Sequence, residues 1–164
     1  MIRTATDADW SAIWPFFAAI VAAAETLGYD RDMPEAEARA MWLASPEPKT
    51  PSLTTVAEDG GEVLGGAHMH RNRGGPGAHV ASATYLVAPA SQGRGIGRAL
   101  VEDSLAWAAA EGFRAMQFNA VVETNRSALA LYESLGFRIV GTVPKAFEHP
   151  TQGFVALHVM HRTL

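Results

Sequence analysis

The 164-residue sequence predicts an α/β (α+β) protein built on one mixed, mostly antiparallel sheet of about six or seven strands, flanked by about four helices. Three observations carry that expectation. Apolar residues recur at steps of three and four from Trp10 to Ala24 and from Leu100 to Ala108, which is the period of a helix with one buried face. Three strand-like runs, Ser52–Glu58, Glu62–Arg71 and His79–Val87, are separated only by turn sequence and read as an antiparallel meander. Strands and helices then alternate, which makes the sheet mixed.

In chain order, Ile2–Ala5 is short and extended, and Thr6-Asp7-Ala8-Asp9 supplies helix N-cap candidates. Trp10, Ile13, Trp14, Phe17, Ile20, Val21 and Ala24 form the stripe of a first helix, which Pro15 is expected to kink or to begin. Leu27–Pro34 breaks the pattern. A second helix runs from Pro34 to about Leu43, with Glu35 and Glu37 in its first turn. A loop carrying Pro46, Pro48 and Pro51 leads into the meander, whose turns are Asp59-Gly60-Gly61 and Asn72–Gly77. After a glycine-rich loop, Leu100, Val101, Ser104, Leu105 and Ala108 cover one face of a helix that ends at Gly112. Ala115–Val122 reads as a strand, Asn125–Leu135 as a helix capped by Gly136, and Phe137–Val143 and Phe154–His161 as the last strands.

Composition narrows the function classes. Net charge is −4, whereas a nucleic-acid partner calls for a clustered basic face, so none is expected. The absence of cysteine excludes disulfides, thiolate zinc sites and cysteine nucleophiles, and suits a cytoplasmic protein. The apolar stretch Ile13–Ala24 is too short to span a bilayer and follows Asp7 and Asp9 rather than a basic segment, so no membrane association is expected. Sheet edges near the C-terminus suit a homodimer.

The most informative stretch is Leu86–Leu100, LVAPASQGRGIGRAL. Pro89 ends a strand by withholding an N–H, and Gly93, Gly95 and Gly97 open a helix. Glycine allows positive φ and close backbone approach, while first-turn N–H groups lack intrahelical partners beside the positive end of the helix dipole. Such a place binds phosphate. Its G-x-G-x-G spacing is not the dinucleotide fingerprint G-x-G-x-x-G, and no Gly-Lys-Ser/Thr follows to make a Walker A loop. A second run spans Asn125–Phe137: Asn125 is an N-cap candidate, Ala128, Leu129, Tyr132 and Leu135 share a face, and Gly136-Phe137 ends the helix and starts a strand.

The run Gln92-Gly93-Arg94-Gly95-Ile96-Gly97, preceded by Val87-Ala88-Pro89, resembles the pyrophosphate loop of the GCN5-related N-acetyltransferase (GNAT) family. Asn125–Phe137 is similar to that family's second signature, N-x-x-A-x-x-L-Y-x-x-x-G-F, at every position. The resemblance covers roughly Ala78 to Val143. It implies a GNAT-type acyl-CoA N-acyltransferase fold forming a single domain over residues 1–164, with acetyl-CoA as co-substrate. The cofactor-binding residues it implies are Leu86, Val87, Gln92, Gly93, Arg94, Gly95, Ile96, Gly97, Arg98, Asn125, Ser127 and Tyr132.

The implied mechanism is direct attack of a neutral amine on the thioester, through a tetrahedral intermediate, with Tyr132 at the position of the family's general acid and the Val87 N–H at the oxyanion or pantetheine. Ser82–Val87 holds no carboxylate where many members carry a glutamate. The proton acceptor is therefore open among Glu123, a water held by Ser82 or Thr84, and His68 or His70. The six histidines, His68, His70, His79, His149, His158 and His161, invite a metal hypothesis, but no carboxylate interleaves them and the family needs no metal, so none is expected.

Met116–Asn125 also resembles the F-N-x-V-x-E-T-N run of fungal acetyltransferases acting on azetidine-2-carboxylate, which implies that Asn119 orients substrate or polarises the thioester. Ser82 stands where their partner asparagine would be, and phosphinothricin-type acetyltransferases are the other near resemblance. Both imply a small-molecule amine, an amino acid or an analogue. Its shape would be set by Tyr29, Met33, Trp42, His68, His70, Asn72, Ser82, Thr84, Tyr85 and Asn119. A non-catalytic acyl-CoA-binding module, and acetylation of a protein N-terminus or lysine, are the alternatives.

Overall fold

The computed structural model describes residues 1–43 and 50–164; Pro46 and Pro48 lie outside them. The chain forms β1 (Ile2–Thr4), α1 (Trp10–Ala23), α2 (Glu35–Leu43), β2 (Ser52–Asp59), β3 (Glu62–Arg71), β4 (Val80–Val87), α3 (Ile96–Ala110), β5 (Ala115–Val122), α4 (Arg126–Ser134), β6 (Arg138–His149) and β7 (Gly153–Thr163). The strands make one seven-stranded sheet in the order β1-β2-β3-β4-β5-β7-β6. Only β4 and β5 run parallel, because α3 carries the chain back to the end of the sheet where β4 began.

Both faces of the sheet are covered, as the two helical stripes require. Ile13 and Phe17 of α1 and Trp42 of α2 pack with Val56, Val63 and Leu86 in one apolar cluster. Val101, Leu105 and Ala108 of α3 and Leu129 of α4 form another with Ala81, Met116 and Phe118. The buried side of α3 is the stripe read from the sequence, Leu100, Val101, Ser104, Leu105 and Ala108.

Helix α1 begins at Trp10 and continues through Pro15, so Pro15 does not mark its start. The proline forgoes one bond to the Ser11 carbonyl, and burial of Ile13, Phe16, Phe17 and Val21 offsets that loss. The helix entry is pinned electrostatically. Arg3 on β1 donates to both Asp9 oxygens, at 2.8 and 2.7 Å, and to Glu58 on β2 at 2.6 Å. That guanidinium holds the Asp9 carboxyl far below the usual carboxylate range.

The largest departure from the expected elements is β6, which runs to His149 rather than stopping at Val143. It is an edge strand, so Pro144 removes no N–H that an inner ladder needs, and the pairing with β7 absorbs the irregularity between Val143 and Phe147, where Lys145 has φ 53°.

Gly65 on β3 controls how closely α3 approaches the sheet. A Cβ there would lie 2.6 Å from the Leu86 carbonyl oxygen and 3.2 and 3.3 Å from Ile96 and Leu100. Gly65→Ala should therefore lower unfolding free energy by about 1–3 kcal/mol, read by denaturant titration, and an unchanged midpoint would show that α3 can shift without cost.

Candidate active site

Strands β4 and β5 are paired only at Val80↔Ala115 and Ala81↔Met116. Beyond those pairs they separate, and main-chain groups that a continuous ladder would use are left facing a cleft. Which groups these are follows from strand alternation. The Val80 carbonyl and the Ala88 N–H bond toward β3, to Asn72 and Leu64, while the His79 carbonyl bonds toward the β5 side, to Arg114. With an unbroken register along β3 and β4, the N–H and C=O groups of Ala83, Tyr85 and Val87 point into the cleft.

One end of the cleft is an anion cradle. Gly93 and Gly95 sit at φ 75° and 82°, a conformation that side chains disfavour, and Gly95 caps α3. The first internal bond of the turn runs from the Ala99 N–H to the Gly95 carbonyl, and among the described residues the N–H groups of Gly93 through Arg98 have no protein acceptor. Together with the dipole of the fifteen-residue α3, they suit an anion such as a diphosphate. This cleft, about 560 Å³, is lined by Leu86, Val87, Gln92, Gly93, Gly95, Ile96, Gly97, Arg98, Asn125, Ser127 and Tyr132. Of the cofactor-binding residues predicted from sequence, Arg94 alone is missing from the wall; its guanidinium pairs with Asp59 at 3.1 Å.

Helix α4 forms the opposite wall. The Asn125 side-chain oxygen accepts from the Ala128 N–H at 3.3 Å and from Ser127 Oγ at 3.2 Å, so the cap engages the oxygen and leaves the amide nitrogen for the cleft. Tyr132 packs its ring against Phe118 at 4.5 Å and Phe137 at 5.9 Å. Its hydroxyl has no protein partner among the described residues, and burial pushes the phenol pKa up.

A second chamber of about 320 Å³ adjoins the first, and the two share Thr26, Tyr85, Asn125, Ala128 and Tyr132. His70, Ser82, Thr84, Tyr85 and Asn119 line it, with Thr26–Tyr29 from the segment between α1 and α2. Tyr85 offers its ring and backbone only, because its hydroxyl is held by Ser104 Oγ at 2.5 Å on the α3 side. Asn119 is oriented from both ends: its Nδ2 donates to Asn72 Oδ1 at 2.6 Å and its Oδ1 accepts from Gln117 at 2.8 Å.

Other residues predicted for the site lie elsewhere. His68 is off the chamber wall, beneath Trp42 at 5.9 Å and bonded to Thr54 Oγ1 at 2.9 Å. Burial, with His70 alongside, pulls its pKa down to about 4. Trp42, 1% exposed, and Met33 belong to the α1–α2 core. Glu123 lines neither cleft. Its carboxylate accepts the Ala156 N–H at 2.6 Å, joining the end of β5 to β7 beside the bond from the Glu123 N–H to the Ala156 carbonyl, so a carboxylate that the sequence offered as a proton acceptor is engaged by backbone. Thr26 and Leu27 were missed in the sequence; the only signal was the broken helical period after Ala24.

Among the described residues no cluster of His, Asp or Glu is arranged to hold a metal, and no helix is long and apolar enough to cross a membrane.

A splayed parallel pair, a bare N–H cradle and an adjoining chamber thus lie together along β4. The chain belongs to the acetyltransferase (GNAT) family, whose model matches residues 14–137. It is similar over its whole length to a GCN5-related N-acetyltransferase from Kribbella flavida, at 59% identity and a TM-score of 0.96 over 97% of that chain. A phosphinothricin acetyltransferase from Sinorhizobium meliloti, solved with AcCoA, shares the fold at 24% identity and a TM-score of 0.83, covering 100% of this chain and 88% of that one. N-acetyltransferase aca1 of Schizosaccharomyces pombe is 33% identical over 97 residues, 58% of this chain and 46% of its own. The chain spans less than half the length of the curated relatives it matches.

The cradle separates two glycine substitutions. Gly95→Asp forces a side chain into left-handed geometry, at about 1–2 kcal/mol, and adds like charge, so the acetyl-CoA Kd measured by calorimetry should rise at least about tenfold. Gly97→Ala places its Cβ 3.5 Å from Leu131 and 3.7 Å from Val87, ordinary contacts, and should leave the melting temperature unchanged. An unchanged Kd in Gly95→Asp would move the diphosphate elsewhere.

Proposed function

We propose that this protein, acting as a single catalytic domain, transfers the acetyl group of acetyl-CoA to the amine of a small molecule, an amino acid or an analogue. The observation that carries the reading is the continuity of the two cavities. A thioester lying along β4 would reach the shared wall of Tyr85, Asn125 and Tyr132, with the acceptor chamber directly beyond it. A module that only held acyl-CoA has no use for that second space. Its volume of about 320 Å³ suits a compact acceptor better than a polypeptide tail, which favours a small molecule.

In this reading the diphosphate rests on the N–H groups of Gly93 through Arg98, and Arg98 adds a charge at the rim. The pantetheine arm pairs with the open edge of β4, and Asn125 Nδ2 donates to it. The Val87 N–H stabilises the oxyanion as the amine adds to the thioester carbon. Asn119, fixed by Asn72 and Gln117, orients the acceptor. Tyr132 remains protonated and gives its hydrogen to the departing sulfur. Because a phenol is a weaker acid than a thiol even before burial raises it, transfer proceeds only as charge builds on sulfur, and correct placement contributes more than acidity.

A homodimer is part of the same proposal. Edge strand β6 exposes Val140 and Val143, and neighbouring β7 exposes Phe154, an apolar border that a second copy would cover. The lack of cysteine suits a cytoplasmic setting.

Turnover is tested by free-thiol release from acetyl-CoA across a panel of amino acids and simple amines. Tyr132→Phe should lower kcat about 100-fold with little change in acetyl-CoA Kd, and equal losses in both would assign Tyr132 to binding alone.

A further inference from the structure

We propose that His70 Nε2 is the base that takes the acceptor's ammonium proton, a role that rests on the acetyl-transfer reading above.

The assignment starts from hydrogen-bond polarity. His70 Nδ1 lies 2.9 Å from the Arg71 carbonyl oxygen, which can only accept, so Nδ1 carries the hydrogen. In the neutral ring the other nitrogen, Nε2, then holds a lone pair. It has no protein partner among the described residues, and the ring lines the acceptor chamber. A carbonyl that fixes one nitrogen as donor turns the other into an oriented acceptor, the arrangement a general base needs.

Its surroundings keep that lone pair available. His70 stands in register with Ser52 on one side and Ser82 on the other, neither of which titrates near neutral pH. Ser82 is the first β4 residue beyond the last β4–β5 pair, so the imidazole is beside the point where the cleft opens. His68, its nearest titratable neighbour, has its ring 5.4 Å away. Thr54 spends its only proton on the Trp42 carbonyl and must accept from His68 Nδ1, which makes His68 a partly buried neutral donor that does not compete for protons. Across the chamber stand Tyr29, Tyr85, Asn119 and Tyr132, and no carboxylate is on the chamber wall among the described residues. Glu25 lines the other cleft, and the Glu123 carboxylate is committed to the Ala156 N–H.

The step balances. The ammonium gives one proton to Nε2, directly or through one water, and the freed nitrogen lone pair forms the N–C bond. The C–S bond then breaks, the sulfur takes the hydrogen of Tyr132, and the attacking nitrogen's second proton restores the phenol. The imidazolium returns the first proton to solvent, leaving amide, free thiol and one proton.

Two measurements test this. In nitrogen-15 spectra of the imidazoles at pH 8, His70 should show the Nδ1–H tautomer with an unprotonated Nε2; an Nε2–H tautomer overturns the proposal whatever the acceptor. Kinetically, the wild type and His70→Gln are compared on a strongly basic alkylamine and on a hydrazide, which arrives uncharged. At pH 7 kcat/KM should fall about 100-fold or more for the alkylamine, and its acid limb should move to higher pH. The hydrazide should lose only a few-fold, and acetyl-CoA Kd should hold. Imidazole added to His70→Ala should restore turnover of the alkylamine. Equal losses on both acceptors, without rescue, overturn the role of His70 while leaving acetyl transfer intact. No thiol release by the wild type with any amine overturns the acetyl-transfer reading, and the catalytic role falls with it.

Discussion

Parallel pairing between β4 and β5 lasts two residue pairs, and the open edges beyond them shape the candidate site. Unpaired peptide groups in a protein interior are costly, so such a parting persists only where something restores the missing hydrogen bonds, and here the groups face a cleft that a ligand or water can fill. The constraint is held from both ends. Glycine at position 65 lets α3 sit low against β3, which brings the N-terminus of α3 to the cleft mouth. On the other strand, the register of β5 against β7 shifts between Phe118 and Val121, past the last β4–β5 pair, and Glu123 ties the end of β5 to Ala156.

The chemistry follows from which groups that geometry exposes. Alternation along β4 sends the Tyr85 and Val87 peptide groups into the cleft and turns Ser82 and Thr84 toward the face shared with His68 and His70. In the proposed reaction the acyl donor is thus met by backbone, which carries fixed dipoles at no reorganisation cost, while the acceptor is met by side chains. Titratable chemistry is sparse on both sides. In the proposed reaction the Tyr132 phenol and the His70 imidazole move the protons, and they stand on different walls of the adjoining cavities. An acid near the sulfur and a base near the amine is the division that direct transfer requires.

Local signals were legible in the sequence, and relations between distant segments were not. The buried stripe of α3, the Asn125 cap and the glycine cradle each arise within about fifteen residues, and periodicity or turn chemistry reports them. Insertion of β7 between β5 and β6 is a long-range pairing with no local signature. The strand continued past Pro144 because edge position removes the usual penalty, which local sequence does not encode. For the site, the residues that line the cleft around Gly93–Arg98 were legible because a backbone cradle is a local device, with Arg94 turned away into an ion pair with Asp59, a residue 35 positions away. Partners remote in sequence were not legible: the Glu123 carboxylate is engaged by Ala156, the Tyr85 hydroxyl by Ser104, and the orientation of Asn119 depends on Asn72.

In the proposed complex, exposed peptide N–H groups, rather than side chains, grip the acyl donor. Amide hydrogen exchange, followed residue by residue with and without acetyl-CoA, addresses it most directly. The donor should slow exchange at Val87 and at Gly93 through Arg98 while leaving β6 and β7 unchanged. Saturating acetyl-CoA that left those amides exchanging at their free rates would contradict it.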